Sequence, residues 1–254
     1  MSLKIADFFQ NKGYLDIIDT YQMSTADNHT AKGALRLDID AFVLNGIISL
    51  SSSINSLNKS NYSWSFIQAY YSILYLARAF NGINNYVIVY HNKKPFGIKI
   101  QPLEKFNKLK GNSHDVVFYQ FKTHFHNDTL LINTIENSSP VDWFNSKRNL
   151  INYASNPFTD PKPPLLLYDH KNELRNWIAT YINDKSHKYT FDPRHCFIAY
   201  PLQLFNRIFN YYSDNNISNV YLNEEKITFL SRNFSDNKGP MAIFISRLKE
   251  LCES

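Results

Sequence analysis

The sequence predicts an all-α fold: a helical bundle with a small β-hairpin insertion and additional helices toward the C-terminus. Three observations carry that expectation. Apolar residues recur at steps of three and four in two consecutive stretches, 38–57 and 66–80. Two short runs rich in β-branched and aromatic residues, YVIVY (86–90) and FGIKI (96–100), flank a polar turn. A strong helix-start signal, Ser139-Pro140-Val141-Asp142, precedes a series of further amphipathic segments.

In chain order, Asp7 can cap a short first helix, which Gly13 interrupts, and residues 23–30 read as a loop. A helix follows over 38–57, with Val43, Ile47, Leu50, Ile54 and Leu57 on one face. Asn58-Lys59-Ser60-Asn61 separates it from a second helix, where Phe66, Tyr70, Ile73, Ala77 and Phe80 form another stripe and Gly82 offers a stop. Two amphipathic helices joined by so short a loop pack as an antiparallel hairpin. The strand-like runs then turn through His91-Asn92-Lys93-Lys94-Pro95. Two strands alone are marginal, so the insert is accessory to the bundle.

Helices return over 113–126 and 128–135. At Ser139 the hydroxyl and the Asp142 carboxylate can satisfy amides of the first turn, and Pro140 has no amide to lose. That helix runs to about residue 154, with Trp143, Leu150 and Ala154 on one face. Prolines at 157, 161, 163 and 164 end it, as a packed crossover anchored by Phe158 or as a boundary between lobes. Further helices are expected at 168–182, 201–212, 224–234 and 240–251. Leu202, Phe205, Phe209 and Tyr212 keep helical spacing in the second of these, and Met241, Ile245 and Leu248 in the last.

A chain of 254 residues can bury a core without staples. Its 17 tyrosines and 19 phenylalanines suit helix packing and wet interfaces alike, because a tyrosine ring packs while its hydroxyl reaches water. The formal charge of +5 permits an acidic or nucleic-acid partner without implying one. Cys196 and Cys252 stand outside any CxxC spacing, which argues against a disulfide framework and a cysteine zinc site. The first residues lack the apolar run of a signal peptide, and polar residues break the apolar stretches, so a cytoplasmic chain with no membrane span is expected. No Walker loop, Rossmann fingerprint, GxSxG elbow or HExxH motif occurs, and neither a cofactor nor a metal is expected.

Two groups of side chains have chemical potential. His114, His124 and His126 lie near Asp115 and Asp128, but on one helix His124 and His126 diverge by about 200° and make a poor metal pair. His114, at a helix start, can shuttle a proton or meet an anion. His187, Lys188, Arg194 and His195 form a basic patch attractive to phosphates, with Tyr189 and Phe191 available for stacking. Lys93-Lys94 at the hairpin tip is a smaller basic site. The bland reading of each is a solvated turn.

Three segments carry a family resemblance. The stretch SWSFIQAYYSILYLARA (63–79) resembles the paired-tyrosine helix of HEPN-like helical domains. Gly111-Asn112-Ser113-His114 resembles the turn before a later helix, and WFNSKRNLINY (143–153) resembles the arginine-bearing helix that closes the bundle. The resemblance covers about 38–160. It implies a HEPN-like domain over 1–160 with the hairpin insert near 86–100, and a C-terminal helical extension, 161–254, packed on it. Active members are dimeric, metal-independent RNases that use an Arg, an adjacent polar residue and a following His. Arg148 and Asn149 match the first two, but Tyr153 stands near the His position. A phenol near pKa 10 does not exchange protons at neutrality as an imidazole near about 6.5 does. The resemblance to degenerate members therefore implies a non-catalytic assembly or sensing part of a toxin–antitoxin or antiviral defence complex. Its partner would be a second copy or a larger protein. The alternative is an RNase or RNA-binding module using Arg148, Asn149, Tyr153 and His114, with Arg148, Lys188, Arg194 and His195 on phosphate.

Overall fold

The structure, a computed structural model, describes residues 3–154, 160, 162, 174–232 and 240–253. Its helices are α1 (Lys4–Asn11), α2 (Thr25–Asn58), α3 (Tyr62–Ile83), α4 (Ser113–His124), α5 (Thr129–Ile132), α6 (Pro140–Asn149), α7 (Leu174–Ile182), α8 (Cys196–Asp214), α9 (Glu224–Arg232) and α10 (Pro240–Glu253). A π-helical turn, Leu150–Ala154, follows α6 directly. Strands β1 (Tyr86–His91), β2 (Lys94–Lys99) and β3 (Asn107–Lys108) form an antiparallel sheet in the order β1-β2-β3. The expected class, a helical bundle with a small β insertion and additional C-terminal helices, is the class observed.

Contacts divide the chain into two units, residues 1–43 with 77–126, and residues 44–76 with 127–254. The boundary expected near residue 160, the Phe158 anchor and the first part of the helix expected over 168–182 fall largely outside the described residues.

In the first unit, Asp7 does not cap α1. The buried Asp38 carboxylate of α2 does, accepting the amides of Lys4 at 2.8 Å and Ile5 at 2.9 Å. Burial raises the Asp38 pKa, against the pull of those two amides. Nor do residues 23–30 form a loop. Ser24 Oγ accepts the Asp27 amide at 3.0 Å and donates to Asp27 Oδ2 at 2.6 Å, a local cap that starts α2 at Thr25. Phe9 packs on Tyr21 and Phe106, with ring centroids 6.0 and 5.0 Å apart. The strands are longer than expected, because Asn92 and Lys93 both take positive φ and close the hairpin in two residues. Pro95 is therefore inside β2, opposite Tyr90, and on its other edge its carbonyl accepts the Leu109 amide at 2.9 Å. Val87, Val89, Phe96 and Ile98 are buried, so the sheet contributes to this unit's core instead of decorating it.

In the second unit, the end of α2 and the start of α3 run antiparallel at close range. Ser53 Oγ donates to Ser65 O at 2.7 Å, Ser65 Oγ to Ser53 O at 2.8 Å, and Ser72 Oγ to Gly46 O at 2.8 Å. Phe66 of α3 stacks on Phe144 of α6 at 5.7 Å and on Phe197 of α8 at 6.4 Å. The members of both predicted stripes that fall in this unit, Ile47 to Leu57 and Phe66 to Ile73, are buried, as are Val43, Ala77 and Phe80 in the first unit. Helix α8 begins at Cys196, not at Pro201, which lies inside it. Its extra turn buries Phe197, Ile198, Ala199 and Tyr200, and that burial outweighs the roughly 3 kcal/mol cost of an internal proline. Leu150 is 53% exposed, not on the buried face of Trp143.

Helix α2 is long and apolar enough to cross a bilayer by length and composition, contrary to the sequence expectation. Its apolar window is 61% buried inside the protein. It is a core helix.

Candidate functional site

The arginine segment is positioned from its start. Ser139 Oγ accepts the Asp142 amide at 3.3 Å and Pro140 occupies the first turn, as the sequence predicts. Glu136 then ties the helix to the preceding turn. Its carboxylate accepts Trp143 Nε1 at 2.8 Å and pairs with Lys147 at 3.3 Å, and these two donors hold its pKa below the ordinary value. Trp143, Phe144 and Val141 are buried, which fixes the helix's rotation and turns Asn145 and Arg148 toward α3. Asn145 Oδ1 accepts the Tyr70 hydroxyl at 3.2 Å.

One turn later the Arg148 guanidinium lies over two rings. Its carbon is 5.5 Å from the centroid of Tyr70 and 5.5 Å from that of Tyr153. Nη1 donates to Asn149 Oδ1 at 2.9 Å, Tyr71 is a further hydrogen-bond partner, and the buried Nε meets no acceptor among the described residues. Burial opposes the charge, but Tyr71 together with the Tyr153 and Tyr70 phenols more than offsets it, and the pKa rises. Over the two rings the guanidinium is a cation facing ring quadrupoles. The π turn makes this possible. In an α-helix residue i+5 lies about 140° around the axis from residue i, whereas the extra residue per π turn brings Tyr153 back over Arg148.

The groups around Arg148 are thus Tyr70, Tyr71, Asn149 and Tyr153. Among the described residues no histidine or carboxylate is placed against the guanidinium, and the cluster can grip an anion or clamp an aromatic surface. His114 belongs to the other unit, in the first turn of α4, where Asn112 Oδ1 accepts its amide at 2.9 Å.

The basic loop is organised by an acid. Asp184 is buried and accepts the amides of Lys188, Tyr189 and Thr190 at 3.1, 2.9 and 3.2 Å, besides the hydroxyls of Ser186 and Thr190. Burial pushes its pKa up, but these donors outweigh it and the net shift is downward. The loop's basic residues have different surroundings. Lys188 is exposed and lies 5.6 Å from the Tyr189 ring centroid. Arg194 is occupied by Asp192, through Nη2 at 2.9 Å and Nε at 3.2 Å. His195 is 3% exposed, with Nδ1 2.7 Å from the Tyr181 hydroxyl and its ring 4.4 Å from Trp177. A phosphate cannot reach His195 without unpacking that aromatic box, so it leaves the set of surface ligands. His124 and His126 diverge as expected: His124 stacks on Tyr86 at 4.5 Å, and His126 Nδ1 is 3.1 Å from Thr123 O.

Sequence reasoning missed Tyr70 and Tyr71 as partners of Arg148. The signal was the adjacent tyrosines on α3; the missing information was which helix they face. Searches of family models, curated proteins and solved structures find no match to this chain.

Proposed function

We propose that this chain is a non-catalytic helical assembly or sensing subunit, acting in the cytoplasm with a second copy of itself or a larger protein, in a bacterial antiviral defence complex. The observation that carries the reading is the Arg148 cluster, in which a guanidinium lies over two tyrosine rings and, among the described residues, meets no histidine or carboxylate. Large apolar side chains of the same unit face solvent: Tyr153 is 76%, Trp64 55% and Leu150 53% exposed. Rigid aromatic rings around an arginine are the usual composition of interface hot spots.

Light scattering of the purified chain tests the reading. A dimer or larger assembly is expected, and Tyr153→Ala with Leu150→Ala should shift it toward monomer. A wild-type chain that stays monomeric in the absence of any partner and also fails to co-purify with one from the native host removes the proposal. The unpartnered Nε of Arg148 favours a second reading, an RNase or RNA-binding module of the HEPN type. Cleavage of RNA by the wild type but not by Arg148→Ala would replace the assembly reading with that one.

A further inference from the structure

The chain's positive charge is concentrated in the sheet. Residues 86–110 hold six lysines and one acidic residue, Glu104, whereas 21 basic residues meet 21 acidic ones in the rest of the chain. The segment therefore carries the entire excess of five charges. Lys93, Lys94, Lys99, Lys105, Lys108 and Lys110 are all exposed, and none forms an ion pair with a described residue.

Strand register gathers four of them at one end. Lys93 is in the two-residue turn, and His91 faces Lys94. Lys108 faces Phe96, and Leu109 N donates to Pro95 O at 2.9 Å, which places Lys110 level with Lys94. Lys94, Lys108 and Lys110 thus share one face of the sheet end, with His91 beside them and Lys93 at the tip. Like charges across a sheet repel. The nearby acid Asp115 is already engaged by Asn112 Nδ2 at 2.6 Å, and Asn112 Oδ1 occupies the amides of His114 and Asp115 at the start of α4.

We propose that this end of the sheet binds the phosphodiester backbone of a nucleic acid, through Lys93, Lys94, Lys108 and Lys110. Lysine is a strongly hydrated point charge, depleted from protein–protein interfaces and suited to phosphate. The four positions lie on the β1–β2 turn, on β2 and along the β3 segment, neighbouring strands about 4.8 Å apart, and can meet backbone phosphates without reading bases. The site is in the unit that lacks Arg148, and it does not depend on the assembly reading.

Fluorescence anisotropy of the full chain with labelled RNA and DNA oligonucleotides of about 20 nucleotides tests it. Four phosphate contacts on a single strand predict a slope of log K against log salt of about −3. Replacing the four lysines by glutamine should weaken binding at least tenfold and flatten the slope by about 3. The same four changed to arginine should retain binding, which separates loss of charge from misfolding. Lys59→Gln, which removes an exposed lysine outside this site, should leave both quantities unchanged. Comparable RNA and DNA affinities are expected. No binding of either polymer at low salt, equal binding by the glutamine variant, or preferential binding of polyglutamate would overturn the proposal, the last in favour of an acidic protein.

Discussion

Asp184 shows how one side chain can set a loop. Three amides and two hydroxyls converge on a buried carboxylate, and hydrogen bonds to a charged group contribute about 1.5–3 kcal/mol each where burial is complete. Asp184→Ala should cost about 2–4 kcal/mol in urea unfolding, less than the sum because the loop relaxes. Its folded pKa is depressed, so the contribution is present above the unfolded value near 3.9 and fades as pH falls through the lower folded value. The stability difference between wild type and Asp184→Asn should therefore shrink below about pH 4. A gap that holds constant on acidification would show that the charge is not what anchors the loop. Cys196 gives a second test at this scale. Burial, with Asp192 and Glu136 adding to it, pushes its thiol well above the ordinary value. A thiol reagent at pH 8 should label the half-buried Cys252 first and reach Cys196 only on unfolding.

At the scale of elements, the contact of α2 with α3 rests on small residues. A methyl group at Gly46 would lie 2.7 Å from Leu76 Cδ2. Gly46→Ala gains about 1 kcal/mol of helix propensity and loses about 1–3 kcal/mol to overpacking, so net destabilisation is expected in thermal melts. Adding Leu76→Ala should make the pair less destabilised than the sum of its members, since each change makes room for the other. Helix α1 depends on a cap from outside itself, and Asp38→Ala should cost about 1–2 kcal/mol and speed amide exchange at Lys4 and Ile5. Legibility differed between these elements for a physical reason. The start of α2 was readable in Ser24 and Asp27, three residues apart, but residues 23–30 resemble a loop in composition. The cap of α1 comes from residue 38 and leaves no mark near residue 4. The stripes of α2 and α3 were readable because burial on one face imposes a period on the sequence.

For the whole molecule, the fold is held by aromatic side chains that bring distant segments together. Phe66 touches Trp143, Phe144 and Phe197, joining α3, α6 and α8 within one unit. Phe66→Ala should cost about 3–5 kcal/mol and loosen α8 together with α6 in hydrogen exchange. Protection lost at α6 alone would mean that the C-terminal helices stand independently of that core. Such contacts also explain what could be read of the candidate site. Arg148, Asn149 and Tyr153 are neighbours in sequence and could be named together, whereas Tyr70 and Tyr71 reach the same guanidinium from a different helix.

Sequence alone determined the helical class, the α2–α3 hairpin, the strand pair and the Ser139 cap, each of which is written in residues within a few positions of one another. Tertiary structure decided the entry of α1, the run of α8 through Pro201, the burial of His195 and the π turn that lays Tyr153 over Arg148. Those outcomes depend on burying surface against residues dozens of positions away, an energy that exceeds local preference and has no period to betray it.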